Sequence, residues 1–146
     1  MESVGRLGAM LVKTHHDFDR KRFIPPTEGT PSGYASFLRS QLKNEKVIIL
    51  VAEIDGAVAG YSYAGIEGTD WMSLRGPAGV IYDILVDPEY RRRGVGMQLL
   101  EAMIEVLQSR NTRQIVLSTA DRNEEAQRLF ERAGFRRTMI EMTKDL

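Results

Sequence analysis

Cysteine is absent from the 146 residues, which removes disulfide staples, thiolate zinc sites and thiol nucleophiles together. An excess of charge is absent as well: 20 basic residues balance 20 acidic ones, and the pI falls near 6.8. Nucleic-acid and acidic-membrane binders draw affinity from a basic surplus, so neither class describes this chain as a whole. No apolar run approaches the roughly 18 residues of a membrane span, and the opening MESVGRLGAM has no signal-peptide core. Histidine occurs only at His15 and His16. Neighbours on a helix point about 100° apart and do not easily share an ion, so no metal site is expected. What remains is 42% hydrophobic and 27% charged, an ordinary globular balance of one-domain length. The expectation is a cytoplasmic domain spanning 1–146.

Periodicity divides the chain. Val4, Leu7, Leu11 and Val12 recur at helical spacing and predict a helix over 3–16. Pro25, Pro26 and Pro31 mark a loop over 19–33, and Tyr34, Phe37, Leu38 and Leu42 share one face of a helix over 34–44. From Val47 the period changes to that of strands. Runs over 47–54 and 57–66 flank Asp55-Gly56, a hairpin signal. An irregular stretch over 67–77 holds the single Trp71. GVIYDILV, at 79–86, reads as a strand stopped by Asp87-Pro88. Val95, Leu99, Met103, Val106 and Leu107 mark a long amphipathic helix to about 110. A strand over 115–119, a helix over 123–133 ended by Gly134 and a final strand over 135–143 complete the order. The fold class is α/β (α+β): a mixed central sheet flanked by helices, with a right-handed βαβ unit in its second half.

Between the 79–86 strand and the long helix lies Tyr90-Arg91-Arg92-Arg93-Gly94-Val95-Gly96. Glycines admit a ligand close to the backbone, and the first N–H groups of the helix are unpaired. Together with the helix dipole and the arginines they suit a pyrophosphate. The string is not a Walker A loop, and a dinucleotide fingerprint would need glycine where Leu99 stands. Taken alone, it reads equally well as a solvated charge run beside a loop.

Context supplies more. Ile84-Leu85-Val86 followed by Arg91-x-x-Gly94-x-Gly96, and then Asn123-x-x-Ala126-x-x-Leu129-Phe130 with Gly134-Phe135, resembles the GNAT superfamily of acetyl-CoA-dependent N-acetyltransferases over about 47–143. The resemblance implies a sheet splayed at the CoA site, with acceptor-side helices over 1–46 and a CoA-binding core over 47–146. It implies that the backbone of Ile84, Leu85 and Val86 pairs with the pantetheine arm, a Leu85 N–H serving as oxyanion donor. Arg91, Arg92, Arg93, Gly94, Val95, Gly96 and Met97 would cradle the pyrophosphate, with Asn123 at the pantetheine or the departing sulfur side and Phe130 also on the cofactor. Many members carry a Tyr at position 130 to protonate the leaving thiolate, and Phe130 has no proton to give. Either the thiolate leaves unaided, or Tyr82, Tyr90 or Ser118 serves.

Acetyl transfer to an amine needs a base, and Asp83, an acid inside an apolar strand, is the first candidate. It reads equally as a buried Asp satisfied by tyrosine or backbone partners. Alternation puts Ile81 and Leu85 on its face, with Tyr82, Ile84 and Val86 opposite. Glu53 and Glu141 are second choices. The 14–19 stretch and the proline-rich loop would wall the acceptor site, with Tyr34 and Trp71 as aromatic walls or plain packing. Members usually open with a strand, whereas this sequence begins almost directly in a helix; the strand is supplied around Met1, missing, or replaced by a partner's. An uncovered sheet edge favours a second subunit, so homodimer and monomer both stay open. The expected activity is acetyl transfer from acetyl-CoA, with no metal, to a primary amine of a small molecule or a protein, by direct attack. Two rivals remain: an inactive acyl-CoA-binding or sensing domain, and an interaction module that turns its arginines on acidic partners.

Overall fold

Two helices precede the sheet in the computed structural model, which describes residues 1–146: α1 over Glu2–Phe18 and α2 over Thr30–Gln41. They cross closely because α1 carries glycine at the contact. A Cβ on Gly8 would sit 2.1 Å from the Tyr34 ring, and one on Gly5 2.3 Å from the Pro31 carbonyl oxygen. The remaining elements are β1 (Val47–Ile54), β2 (Ala57–Glu67), β3 (Ala78–Val86), α3 (Val95–Ser109), β4 (Ile115–Leu117) and α4 (Glu124–Arg132), with a 3-10 turn over Pro88–Tyr90. The strand order is β1-β2-β3-β4. The first two pairings are antiparallel, and β3 runs parallel to β4.

Each sheet face has its own core. Val4, Leu7 and Leu38 of α1 and α2 pack on Tyr61, Tyr63 and Leu85. On the other face Leu100, Met103 and Leu107 of α3, with Phe130 of α4, cover Ile48, Ala64 and Ile81. Leu7, Leu38, Leu100, Met103 and Leu107 are fully buried, each a core side chain whose transfer from water contributes about 1.5–3 kcal/mol.

A bulge breaks the alternation expected of β3. Tyr63 pairs with Asp83 but Ala64 pairs with Ile81, which leaves Tyr82 as an extra residue. Ile81 therefore packs under α3, whereas Asp83 and Tyr82 turn together toward the α1–α2 face, where they meet Tyr61 and Tyr63. The expectation that Ile81 shares a face with Asp83 is corrected. The β3–β4 ladder stops at Ile81↔Leu117, one residue before the bulge, so the two strands part at that point.

Two further expectations change. β4 has three residues rather than five, and 135–146 forms no strand. Gly134, at φ 97°, closes α4: its N–H donates to Glu131, and the Phe135 N–H to the Phe130 carbonyl. The tail then follows side-chain anchors instead of a ladder. Arg137 holds Glu131 and Gln127, Glu141 receives Arg22 at 2.6 and 2.7 Å, and Met139, Ile140 and Met142 stay exposed.

Candidate active site at the parting of two strands

The turn after β3 is fastened before it bends. Asp87 is buried, and its carboxylate accepts from the Glu89 N–H at 3.0 Å and from Arg6 of α1 at 3.1 Å. Beyond it the backbone enters the left-handed region twice, at Arg92 (φ 64°) and at Gly94 (φ 76°), the N-cap of α3. The first conformation is strained for a side-chain-bearing residue. No side chain caps α3, so the N–H groups of Val95, Gly96 and Met97 open its positive end. A Cβ on Gly94 would meet nothing within 4 Å, and one on Gly96 would only touch Leu129 at 3.4 Å and Val86 at 3.6 Å, so the turn borders open space between α3 and α4.

That space is a cleft of about 400 Å³. Of the residues expected at a cofactor, it is lined by Ile84, Leu85, Val86, Arg91, Arg92, Gly94, Val95, Gly96, Met97, Asn123 and Phe130. Arg93 is outside it, its guanidinium 5.7 Å from the centre of the Tyr90 ring. Arg128 and Arg132 line the opposite wall and escaped the sequence reading, although their four-residue spacing on α4 was the available signal. With Arg91 and Arg92 they make four cations against one acid, Glu125. Free N–H groups, a glycine without obstruction and clustered guanidinium groups are a donor set that fits a pyrophosphate.

Backbone direction corrects one expectation. The Asp87 N–H donates to the Ala59 carbonyl at 2.8 Å, toward β2. Peptide groups alternate along a strand, so Leu85 also faces β2, while Ile84 and Val86 face the edge that β4 has left. The N–H groups open to an extended ligand are thus those of Ile84 and Val86, not that of Leu85. Asn123 caps α4: its side-chain oxygen accepts from the Ala126 N–H at 3.1 Å, leaving the amide NH2 for the cleft.

Beyond the parted strands lies a second cavity, of about 310 Å³, walled largely by apolar groups that include Leu11, Val12, Phe23, Ile24 and Ile81. Asp83 is its carboxylate, and burial pushes that carboxyl up to about 6. The Tyr61 hydroxyl lies 3.3 Å from Asp83 and 3.2 Å from the Tyr34 hydroxyl, a line of hydroxyls leading to the acid. Tyr61, raised by its own burial, stays protonated and was not singled out in the sequence. Tyr34 lines the cavity; Trp71, 81% exposed, does not. Tyr82 lines it too, but its hydroxyl is engaged by Glu67. Ser118 and Thr119 complete the wall where β4 ends. Glu53, exposed on β1, and Glu141, held by Arg22, line neither space.

Cleft and cavity meet. Leu11, His15, Ile84, Asn123, Ala126 and Phe130 line both, so one ligand group in each would come face to face where β3 and β4 separate. The junction has no hydroxyl at position 130.

Known proteins carry the same architecture. A mutant of the BH1408 protein from Bacillus halodurans superposes with a TM-score of 0.82 at 22% identity, over 99% of this chain and 92% of that one. AAC(6')-Iy, solved in complex with the bisubstrate analog CoA-S-monomethyl-acetylneamine, gives a TM-score of 0.68 at 22% identity over 79% of each chain. Likeness at that identity concerns the fold. In sequence, an uncharacterized N-acetyltransferase of Archaeoglobus fulgidus is 31% identical over 104 residues, covering 70% of this chain and 69% of that protein. A mycothiol acetyltransferase of Thermobispora bispora is 34% identical over 96 residues, 63% of this chain and only 31% of its own length. A model of the acetyltransferase (GNAT) family matches residues 11–135, most of the chain. The chain belongs to the GNAT family of acetyltransferases.

Proposed function

We propose that this protein transfers the acetyl group of acetyl-CoA to the primary amine of a small molecule with an apolar body, by direct attack in a ternary complex. The observation that carries the reading is the junction: a cationic, donor-rich cleft and an apolar cavity with one half-buried acid open onto each other at the strand parting. The cleft suits the pyrophosphate of CoA at Arg91, Arg92 and the first turn of α3. The outward N–H groups of Ile84 and Val86 suit its pantetheine arm and the developing oxyanion. Asp83, with its carboxyl near 6, is ionised at neutral pH and suits the removal of a proton from an arriving ammonium, through Tyr61 and Tyr34 or through water. An apolar wall with a single acid favours an amine on a hydrocarbon or aromatic body over a polyhydroxylated one.

Phe130 favours a second reading, a domain that binds acyl-CoA without transfer. The test is thiol release from acetyl-CoA with 2-phenylethylamine, hexylamine, spermidine and glycinamide. Release accelerated by the apolar amines is expected. Tight CoA binding with no acceleration by any of the four would favour the sensing domain, and no CoA affinity would remove both readings.

A further inference from the structure

Among the six residues shared by cleft and cavity, only His15 carries a side chain that can exchange a proton. Its Nδ1 lies 2.8 Å from the Leu11 carbonyl oxygen, one turn back on α1. A carbonyl only accepts, so Nδ1 carries the proton and the neutral ring keeps a lone pair on Nε2. Phe18 and Phe23 meet the ring edge-on, with centroids 5.9 and 5.1 Å away, and so fix its plane. One nitrogen tied to a carbonyl and the other unengaged is the arrangement of an oriented base. The other donors fall short of the junction: Ser118 lines the cavity alone and Tyr90 the cleft alone, while the Tyr82 hydroxyl is held by Glu67. His16, the next residue, turns its Nδ1 to the Phe23 carbonyl at 2.9 Å and lines neither space.

We propose, resting on the acetyl-transfer reading above, that His15 is the proton carrier of the reaction, filling the place that Phe130 leaves empty. The neutral amine forms the N–C bond to the thioester carbon, and the carbonyl oxygen takes up the displaced electron pair. His15 Nε2 then accepts one proton from the now cationic nitrogen. The oxygen lone pair re-forms the carbonyl as the C–S bond breaks, its electrons leaving with sulfur, and the Nε2 proton passes to that sulfur. The ring ends neutral, as it began. The proton lost earlier, when ammonium became amine, belongs to Asp83 and returns to solvent. One ring serves both transfers because it faces both spaces.

The test uses the full chain, acetyl-CoA and 2-phenylethylamine. In His15→Gln, kcat should fall about 100-fold, within the range of general acid–base catalysis, with the dissociation constant for CoA within about twofold of wild type. His15→Ala should regain about tenfold in rate on addition of imidazole, which should leave wild type unchanged. His16→Gln should stay within about threefold of wild type. A His15→Gln rate within about threefold of wild type would overturn the proposal, as would a loss in His15→Ala that imidazole does not restore. No amine-dependent thiol release by wild type would instead overturn the transfer reading on which the proposal rests.

Discussion

The cleft and the cavity are built by different means. The cleft has a backbone frame: helix N–H groups, the outward edge of β3 and a turn with two residues at positive φ come from the contiguous stretch 84–97, and side chains of α1 and α4 close it. The cavity is mostly side chains, drawn from α1, the loop after it, α2, β3, the end of β4 and α4. A site made of backbone tolerates changes of side chain but fails when a Cβ intrudes. A site made of side chains can be re-lined one residue at a time, which suits a constant co-substrate on one side and a selected acceptor on the other.

The largest expected effect breaks the cleft. Gly96→Trp places an indole where a Cβ already meets Leu129 at 3.4 Å, and CoA affinity should fall by at least about 100-fold in calorimetric titration. Unchanged affinity would remove the first turn of α3 from the site. Next come the arginines. Arg91→Ala should weaken CoA roughly tenfold or more, by the loss of charge-assisted hydrogen bonds, and the deficit should shrink as salt is raised. Arg93→Ala, outside the cleft, should cost far less in the same titration.

Asp83 breaks the cavity in a separable way. Its carboxyl stands above the ordinary 3.8, at about 6, so the ionised form costs stability in the folded chain. The folded state is favoured while Asp83 is protonated, below about pH 4, and loses that advantage as pH rises through about 6. Asp83→Asn should therefore be more stable than wild type by about 1–2 kcal/mol at pH 8, the gain fading toward pH 4, as read from urea midpoints. The same variant should bind CoA normally and lose the rise in acetyl transfer through about pH 6. Wild-type behaviour in both measurements would remove Asp83 from the chemistry. The smallest effect is expected at Trp71→Ala: the side chain touches neither space, and transfer should stay within about twofold of wild type.

The same division explains what the sequence disclosed. Arg91 to Gly96 and Asn123 to Phe130 are local strings whose meaning survives in one dimension, so those walls of the cleft were legible, although Arg93 falls outside it and Arg128 and Arg132 gave no such string. Asp83 was legible as an acid in an apolar strand. Its surroundings were not, because the Tyr82 bulge shifts the alternation and no periodic pattern encodes one extra residue. That shift also hid Tyr61, which read as a strand tyrosine until Asp83 turned toward it. Leu85 was misassigned for a related reason: a strand pattern says which side chains share a face but not which peptide groups lie toward which neighbour. The final strand failed because Met139, Ile140 and Met142 by themselves read as an extended run, whereas a strand needs a neighbour, and the short β4 lends them none.

The central claim is that an acetyl group crosses directly from one space to the other at the parting of β3 and β4. Initial velocities of thiol release, measured across a grid of acetyl-CoA and 2-phenylethylamine concentrations, test it most directly. Intersecting double-reciprocal lines, the mark of a ternary complex, are the predicted result. Parallel lines, or release that ignores the amine, would contradict the account.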